Sequence, residues 1–190
     1  MNNYFLTCPR GLEEVTAKQI SKHIQNNPKV DFGGIEFQGT KIDMYKANLY
    51  SRTGMHVLKE LFSININHQK DLYKKVYSLK WKAILSPNKK FAIKSKTKST
   101  IIENTNYLTL KIKDAIVDNI RSEFKKRPSI DKLNPDIMLH VILKENKLKI
   151  YIDSSGEPLF KRGYKNKIHK AALNESLASG LLLLSSWNRI

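Results

Sequence analysis

Apolar residues recur along this chain with two periods, and each change of period marks an element. Tyr4 to Cys8 is a short apolar run that predicts a strand, broken by Pro9-Arg10-Gly11. Leu12, Val15, Ala17, Ile20 and Ile24 then fall at helical spacing, with Glu13 and Glu14 in the first turn, where carboxylates suit the helix dipole. Asn26-Asn27-Pro28 ends that helix. Gly33-Gly34 marks a turn, and Gly34-Ile-Glu-Phe-Gln alternates as a strand closed by Gly39. The opening therefore reads as a small strand-helix-strand-strand unit with too little core to stand alone.

A second unit starts near Ile42. Met44, Tyr45, Ala47, Leu49 and Tyr50 predict a helix that ends by Gly54, and Val57 to Asn67 is strand-like. Asp71 to Leu79 is a short helix carrying Leu72, Val76 and Leu79, and Pro87-Asn88 is a turn. Phe91 to Lys98 alternates. From Asn106 to Phe124, residues Leu108, Ile112, Ala115, Ile116, Ile120 and Phe124 share one helix face, and Arg127-Pro128 stops it. Met138–Leu143 and Leu148–Ile152 alternate around a short turn, as a hairpin does. The order helix, strand, helix, strand, helix, hairpin predicts an α+β or α/β layer fold with helices packed on a mixed sheet. A capped apolar helix over Ala172 to Trp187 closes the chain. Trp81 and Trp187 each end an apolar element and are expected in the core.

Charge changes the picture from fold to partner. The chain has 34 Lys and Arg against 17 Asp and Glu, a formal net charge of +17. That surplus must lie on the surface, where it attracts polyanions, nucleic acid first and an anionic membrane second. Almost all of it is Lys, and richness in Asn and Ile also fits a compositional bias without function. The longest apolar run, Leu181-Leu-Leu-Leu, is far shorter than the roughly 20 residues that span a bilayer. The N-terminus lacks a basic segment before a long apolar core, so a cytoplasmic protein is expected and no membrane partner. The single cysteine, Cys8, sits in an apolar run and is expected to be a buried, unreactive thiol.

No catalytic constellation emerges. Glycine-rich phosphate loops, paired-cysteine motifs and nucleophile elbows are absent, and the five histidines have no metal-ligand spacing. Asp114 and Asp118 read as a solvated helix face with local ion pairs. Two basic clusters carry the functional expectation. Lys94, Lys96 and Lys98 alternate on a strand, interleaved with Ser95, Thr97, Ser99 and Thr100, and lead to Asn104 and a helix N-terminus with Lys111 and Lys113. Lys161, Arg162, Tyr164, Lys165, Lys167 and Lys170 form the second, punctuated by Gly156 and Gly163, with Phe160 and Tyr164 as bases' stacking partners or core residues. Ten of these, with no metal or catalytic residue among them, are the candidate nucleic-acid-binding set: Lys94, Lys96, Lys98, Asn104, Lys111, Lys113, Lys161, Arg162, Tyr164 and Lys165.

Five segments carry a family resemblance. They are Arg10-Gly-Leu-Glu-Glu; Gly33-Gly-Ile-Glu-Phe-Gln-Gly; Tyr107 to Asp118 with its Lys-x-Lys-Asp-Ala-Ile-Val-Asp core; Pro135-Asp-Ile; and Asp153-x-Ser-Gly-Glu-Pro-Leu-x-Lys-Arg-Gly-Tyr leading into Ala172-Leu-Asn-Glu-x-Leu-Ala-x-Gly-Leu-Leu. In these the chain resembles the N-terminal part of bacterial large-subunit ribosomal RNA guanine-N2 methyltransferases that carry a THUMP domain. The resemblance implies a ferredoxin-like unit over residues 1–41 and a THUMP domain over 42–154. Residues 155–190 would then be a return segment and first helix leading into a methyltransferase domain. It implies structured RNA, 23S rRNA, as partner, and S-adenosylmethionine as cofactor of the full-length enzyme with none in this chain. The family's cofactor loop, of the form Asp-Pro-x-Cys-Gly-Ser-Gly-Thr, would come after Ile190, so no catalytic or cofactor residue is expected here. A stand-alone RNA-binding module and the THUMP arm of a tRNA-modifying enzyme are the alternatives. Without such a downstream domain, the helix face of Leu177, Leu181 and Leu184 would be uncovered, and dimerisation through it, or fraying, is expected.

Overall fold

The computed structural model describes residues 1–163, 172–185 and 187. The chain divides into two compact units, one of residues 1–59 and 154–190, the other of residues 60–153. The fold is α+β, as the pattern of elements predicts.

In the first unit, β1 (Asn2–Thr7) lies between two antiparallel neighbours, β3 (Gly34–Gly39) and the start of β4 (His56–Asn65). The short β2 (Lys29–Asp31) pairs antiparallel with β3. The turn between β2 and β3 needs a left-handed residue, and Gly33 supplies it at φ +74. Helices α1 (Glu13–Ile20) and α2 (Lys41–Tyr50) contribute Ala17, Ile20, Met44 and Ala47 to a core shared with Tyr4, Leu6, Ile35, Phe37 and Val57. Cys8 is buried in this unit, and burial pushes its thiol up to about 11, so it is unreactive at neutral pH.

The chain leaves the first unit and returns to it, and the return is tied down by hydrogen bonds. Ser154 donates its N–H and its hydroxyl to the Val57 carbonyl at 2.9 and 2.7 Å. The Ser155 hydroxyl accepts from Val57 N–H and donates to Asn48 Oδ1. Arg162 donates to the carbonyls of Asn48 and Ser51, each at 2.9 Å, at the end of α2, where a helix leaves its carbonyls unpaired. Helix α5 (Glu175–Leu184) is capped by Asn174 and rests its small residues on the unit. Ser176 donates to the Gly54 carbonyl at 3.0 Å, and a Cβ at Gly180 would collide with Leu12. Its opposite face is open: Leu181, Leu182 and Leu184 are about half exposed, and Trp187, expected in the core, is 66% exposed. Four apolar residues in a row cannot all face one side of a helix, so this short element offers too little buried face for them.

In the second unit the strand order is β4, β7 (Lys147–Asp153), β6 (Ile137–Lys144), β5 (Phe91–Lys98). β5 and β6 are parallel, joined through α4 (Thr105–Phe124); β6 and β7 form the antiparallel hairpin. α4 starts at Asn104, whose side chain accepts from Tyr107 N–H, and ends at Lys125 in a left-handed conformation. Its Leu108, Ile112, Ala115, Ile116 and Ile120 are fully buried with Leu139, Val141, Leu143, Leu148 and Ile150 of the sheet. α3 (Asp71–Tyr77) adds Leu72 and Val76, and Trp81, in a 3₁₀ turn, is fully buried with its indole N–H donating to the Val76 carbonyl. A core of this size is the main stabilising term for the unit.

Asp43 provides a test of one local device. It closes a capping box with Thr40 at the start of α2 and also accepts from Gln25 N–H. Burial alone would raise its pKa; the Thr40 N–H and hydroxyl, Gln25 N–H and the charge of Lys46 outweigh that and hold it below the ordinary Asp value. A carboxyl whose folded pKa lies below its unfolded value stabilises the fold above the unfolded value and loses that contribution as pH falls through the folded one. Asp43→Ala is therefore expected to cost about 1–2 kcal/mol at neutral pH. The deficit should shrink as pH drops below about 4. Urea unfolding of both proteins at several pH values checks this; a deficit independent of pH would sink it.

Candidate nucleic-acid interface

Side chains alternate across a strand, so pairing register decides which residues share a face. The register of β5, β6 and β7 builds three cross-strand rows on the face away from α4: Lys94–His140–Tyr151, Lys96–Ile142–Lys149 and Lys98–Lys144–Lys147. Six lysines thus lie on one face of three adjacent strands. The face is graded. Tyr151 is 2% exposed and His140 sits 3.3 Å from Asp153, so the His140–Tyr151 end of the first row is closed; Lys149 is largely buried and 3.7 Å from Glu60. Lys94, Lys96, Lys98, Lys144 and Lys147 are exposed. The last row brings three like charges side by side on strands about 4.8 Å apart, an arrangement that an anion lying against it would stabilise. The turn after β6 is pinned on both sides: Glu145 N–H donates to the Lys98 carbonyl and Ile66 N–H to the Asn146 carbonyl.

The interleaved hydroxyls do not share this face. Ser95 and Thr97 point toward the α4 side, in the rows of Val141 and Leu143, and Thr97 donates to the Ile102 carbonyl at 2.7 Å. Strand alternation thus separates Ser95 and Thr97 from the lysines between which they lie in sequence. Asn104 has its side-chain oxygen committed as the α4 cap. Lys111 and Lys113 ride on α4, the layer that covers the other face of the sheet; Lys111 lies over the Tyr107 ring and Lys113 pairs with Asp114 at 2.8 Å. Asp118 accepts from Tyr73, whose hydroxyl is pushed up to about 12, and pairs with Arg121 at 3.0 Å. In the first unit Lys161 pairs with Glu157 at 2.8 Å, and Arg162 is held on the α2 carbonyls. Tyr164 and Lys165 lie outside the described residues.

The structure therefore brings together Lys94, Lys96 and Lys98 and joins to them Lys144 and Lys147, which sequence reading missed. The signal was present as the alternation of Lys144, Lys147 and Lys149 around the hairpin turn, but only the β5–β6 register makes them neighbours of Lys98. Among the described residues no group of three or more His, Cys, Asp or Glu is placed to hold a metal ion, and no helix is long and apolar enough to cross a membrane.

Two family models match this chain. That of the RlmL ferredoxin-like domain matches residues 3–58, and that of the THUMP domain matches residues 67–153. Over 190 residues the chain is 35% identical to the ribosomal RNA large subunit methyltransferase K/L of Cellvibrio japonicus, a match to 100% of this chain and 25% of that protein. It is 32% identical over 184 residues to a putative RNA methyltransferase of Synechocystis, covering 97% of this chain and 48% of that one. The chain thus spans between about a quarter and about half the length of these relatives. Among solved structures it shares its fold with a predicted N6-adenine-specific DNA methylase from Listeria monocytogenes, at a TM-score of 0.82 and 24% identity over 98% of this chain and 49% of that one. A putative methyltransferase complexed with SAH, SMU.472, matches at a TM-score of 0.79 and 24% identity, again over 98% and 49%.

The like-charge row has a consequence for stability that is separate from binding. Lys147→Glu converts one repulsive cross-strand neighbour of Lys144 into an attractive one. The variant is expected to be more stable by about 0.2–1 kcal/mol, with the gain shrinking as salt is added. Thermal unfolding at low and high ionic strength checks it, and a destabilised variant would contradict this register.

Proposed function

We propose, for a chain that carries an RlmL ferredoxin-like domain followed by a THUMP domain, that it is the RNA-gripping part of an RNA methyltransferase. The observation that carries the reading is the row Lys98–Lys144–Lys147, with Lys94 and Lys96 beside it, inside the span of the THUMP match. The role is positional. Ammonium groups on a flat sheet face contact phosphates of a folded RNA, which fixes its placement and carries little sequence information. The names of the relatives support a large-subunit ribosomal RNA as the RNA, and the segment resemblance supports 23S rRNA, guanine N2 as the methylated atom and S-adenosylmethionine as the methyl donor; a cytoplasmic location is part of the same proposal. Methyl transfer itself is assigned to no residue of this chain.

The lysines of the sheet face outrank the rest of the candidate set. Lys94, Lys96, Lys98, Lys144 and Lys147 are exposed and share one face of the sheet, whereas Arg162 holds a helix end and Asn104 caps α4. Lys98→Glu/Lys147→Glu is expected to weaken binding of a structured RNA at least about tenfold at moderate salt. The slope of log affinity against log salt should fall by about 0.7–0.9 for each phosphate no longer neutralised. Lys111→Glu/Lys113→Glu is expected to do less. Fluorescence anisotropy over a salt series measures both, and unchanged affinity in the sheet-face variant would overturn the reading. Lys147→Glu, expected to be stabilising alone, guards against mistaking unfolding for weakened phosphate binding.

We also propose that the chain self-associates through the open side of α5, where Leu181, Leu182 and Leu184 are about half exposed. Sedimentation velocity at rising concentration should show dimer that Leu181→Glu/Leu182→Glu abolishes. A wild-type monomer at every concentration would remove this part of the proposal.

A further inference from the structure

The first unit holds a groove of about 1090 Å³ lined by α1, the end of α2, the returning segment and α5. Its lining is unlike that of the lysine face. Lys18, Lys22, Arg52 and Arg162 contribute cations against a single acid, Glu175. Its aromatic part is already a stack: the rings of His23 and Tyr50 lie with centroids 4.3 Å apart and planes at 11°. Tyr50 is 47% exposed, and Phe160 lines the same groove. Lys18, Lys22 and Arg52 are exposed. None of these except Arg162 belongs to the sequence-derived candidate set.

Cations beside exposed aromatic faces are the chemistry that holds unpaired nucleotides. The backbone follows the charges, and a base continues the aromatic stack without demanding a particular sequence. A duplex cannot use such a groove, because its bases are already stacked on one another. A second part of the lining supports a narrow occupant: Leu49, Leu159 and Leu183 give the walls apolar surface suited to the flat faces of bases.

We propose that this groove is a binding site for a single-stranded stretch of RNA. A base stacks on the His23–Tyr50 pair, and flanking phosphates are held by Lys18, Lys22 and Arg52. The assignment to RNA rests on the proposed function, that this chain grips RNA; the single-stranded preference rests on the groove itself.

The test uses the 190-residue chain with two labelled probes, a short unstructured RNA oligonucleotide and a blunt RNA duplex of the same length. Tyr50→Ala and Lys22→Glu/Arg52→Glu are each expected to lower affinity for the single strand on the order of tenfold, leaving duplex affinity unchanged. Tyr50→Phe keeps the stack and should retain binding. Ultraviolet cross-linking of the single strand should place adducts at Tyr50 or Phe160. The lysine-row variant Lys98→Glu/Lys147→Glu is expected to show the reverse pattern, losing the duplex first. Groove variants that melt like wild type yet bind the single strand unchanged overturn the proposal. So does a result in which they alter only self-association, since the occupant would then be protein. Loss in the groove variants with none in the lysine-row variant keeps the groove and removes the sheet-face reading, so the two fail separately.

Discussion

The pairing register of β5, β6 and β7 is the constraint on which the second unit depends. Ile93, Leu139, Val141, Leu143, Leu148 and Ile150 all fall on the side of α4 because the three strands pair as they do. A slip of one residue in β5 would turn Lys94, Lys96 and Lys98 into that core and Ile93 out of it. Burying even one unpaired ammonium costs several kcal/mol, so the slipped state is not a competitor. The lysine face is therefore fixed by the apolar face behind it. The repulsion within the row Lys98–Lys144–Lys147 is small beside the core it rides on, which is how a fold tolerates an arrangement useful mainly to an anionic partner.

The first unit is closed by a different device. Its chain is discontinuous, and among the described residues Leu159 is the one partly buried apolar residue packed on that core. Hydrogen bonds take over. Ser154 and Ser155 engage Val57 and Asn48, Leu159 N–H donates to the Met55 carbonyl, and Arg162 holds the end of α2. These bonds explain why residues 154–162 lie against this unit instead of trailing. They also form one wall of the groove, since Leu159, Phe160 and Arg162 line it. Gly180 sets the opposite side, because a larger residue there would push α5 off Leu12.

Period and punctuation alone made much of this legible. α4 could be read from Leu108 to Ile120 because a helix face is local, and the β6–β7 hairpin because its two strands are neighbours in sequence. The lysine face was half legible for the same reason: Lys94, Lys96 and Lys98 follow from alternation within one strand. Lys144 and Lys147 did not, since their place beside Lys98 depends on a parallel pairing across a helix crossover, and nothing local specifies it. Arg162 shows the converse. Among lysines and a Tyr it read as a phosphate contact, while its guanidinium is engaged by two carbonyls more than a hundred positions away in the chain. Trp187 misled because an aromatic at the end of an apolar run is ordinarily buried, and here the helix beneath it exposes its leucines instead.

The chemistry of the two basic surfaces bears on how an RNA would be chosen. The sheet face presents lysines, which are point charges on flexible stems and lack the planar fork that lets Arg read a base edge or clamp a phosphate bidentately. Such a surface distinguishes RNAs by where their phosphates lie, hence by folded shape. The groove differs in kind, since it offers aromatic faces and two arginines beside its lysines, and a paired base has no free face to give it. A folded RNA with an unpaired stretch satisfies both chemistries, whereas a plain duplex satisfies only the first and an unstructured strand favours the second. Discrimination on these terms requires no sequence readout by this chain, which accords with a lining in which charges and rings outnumber the fixed amide and carboxylate groups that read bases.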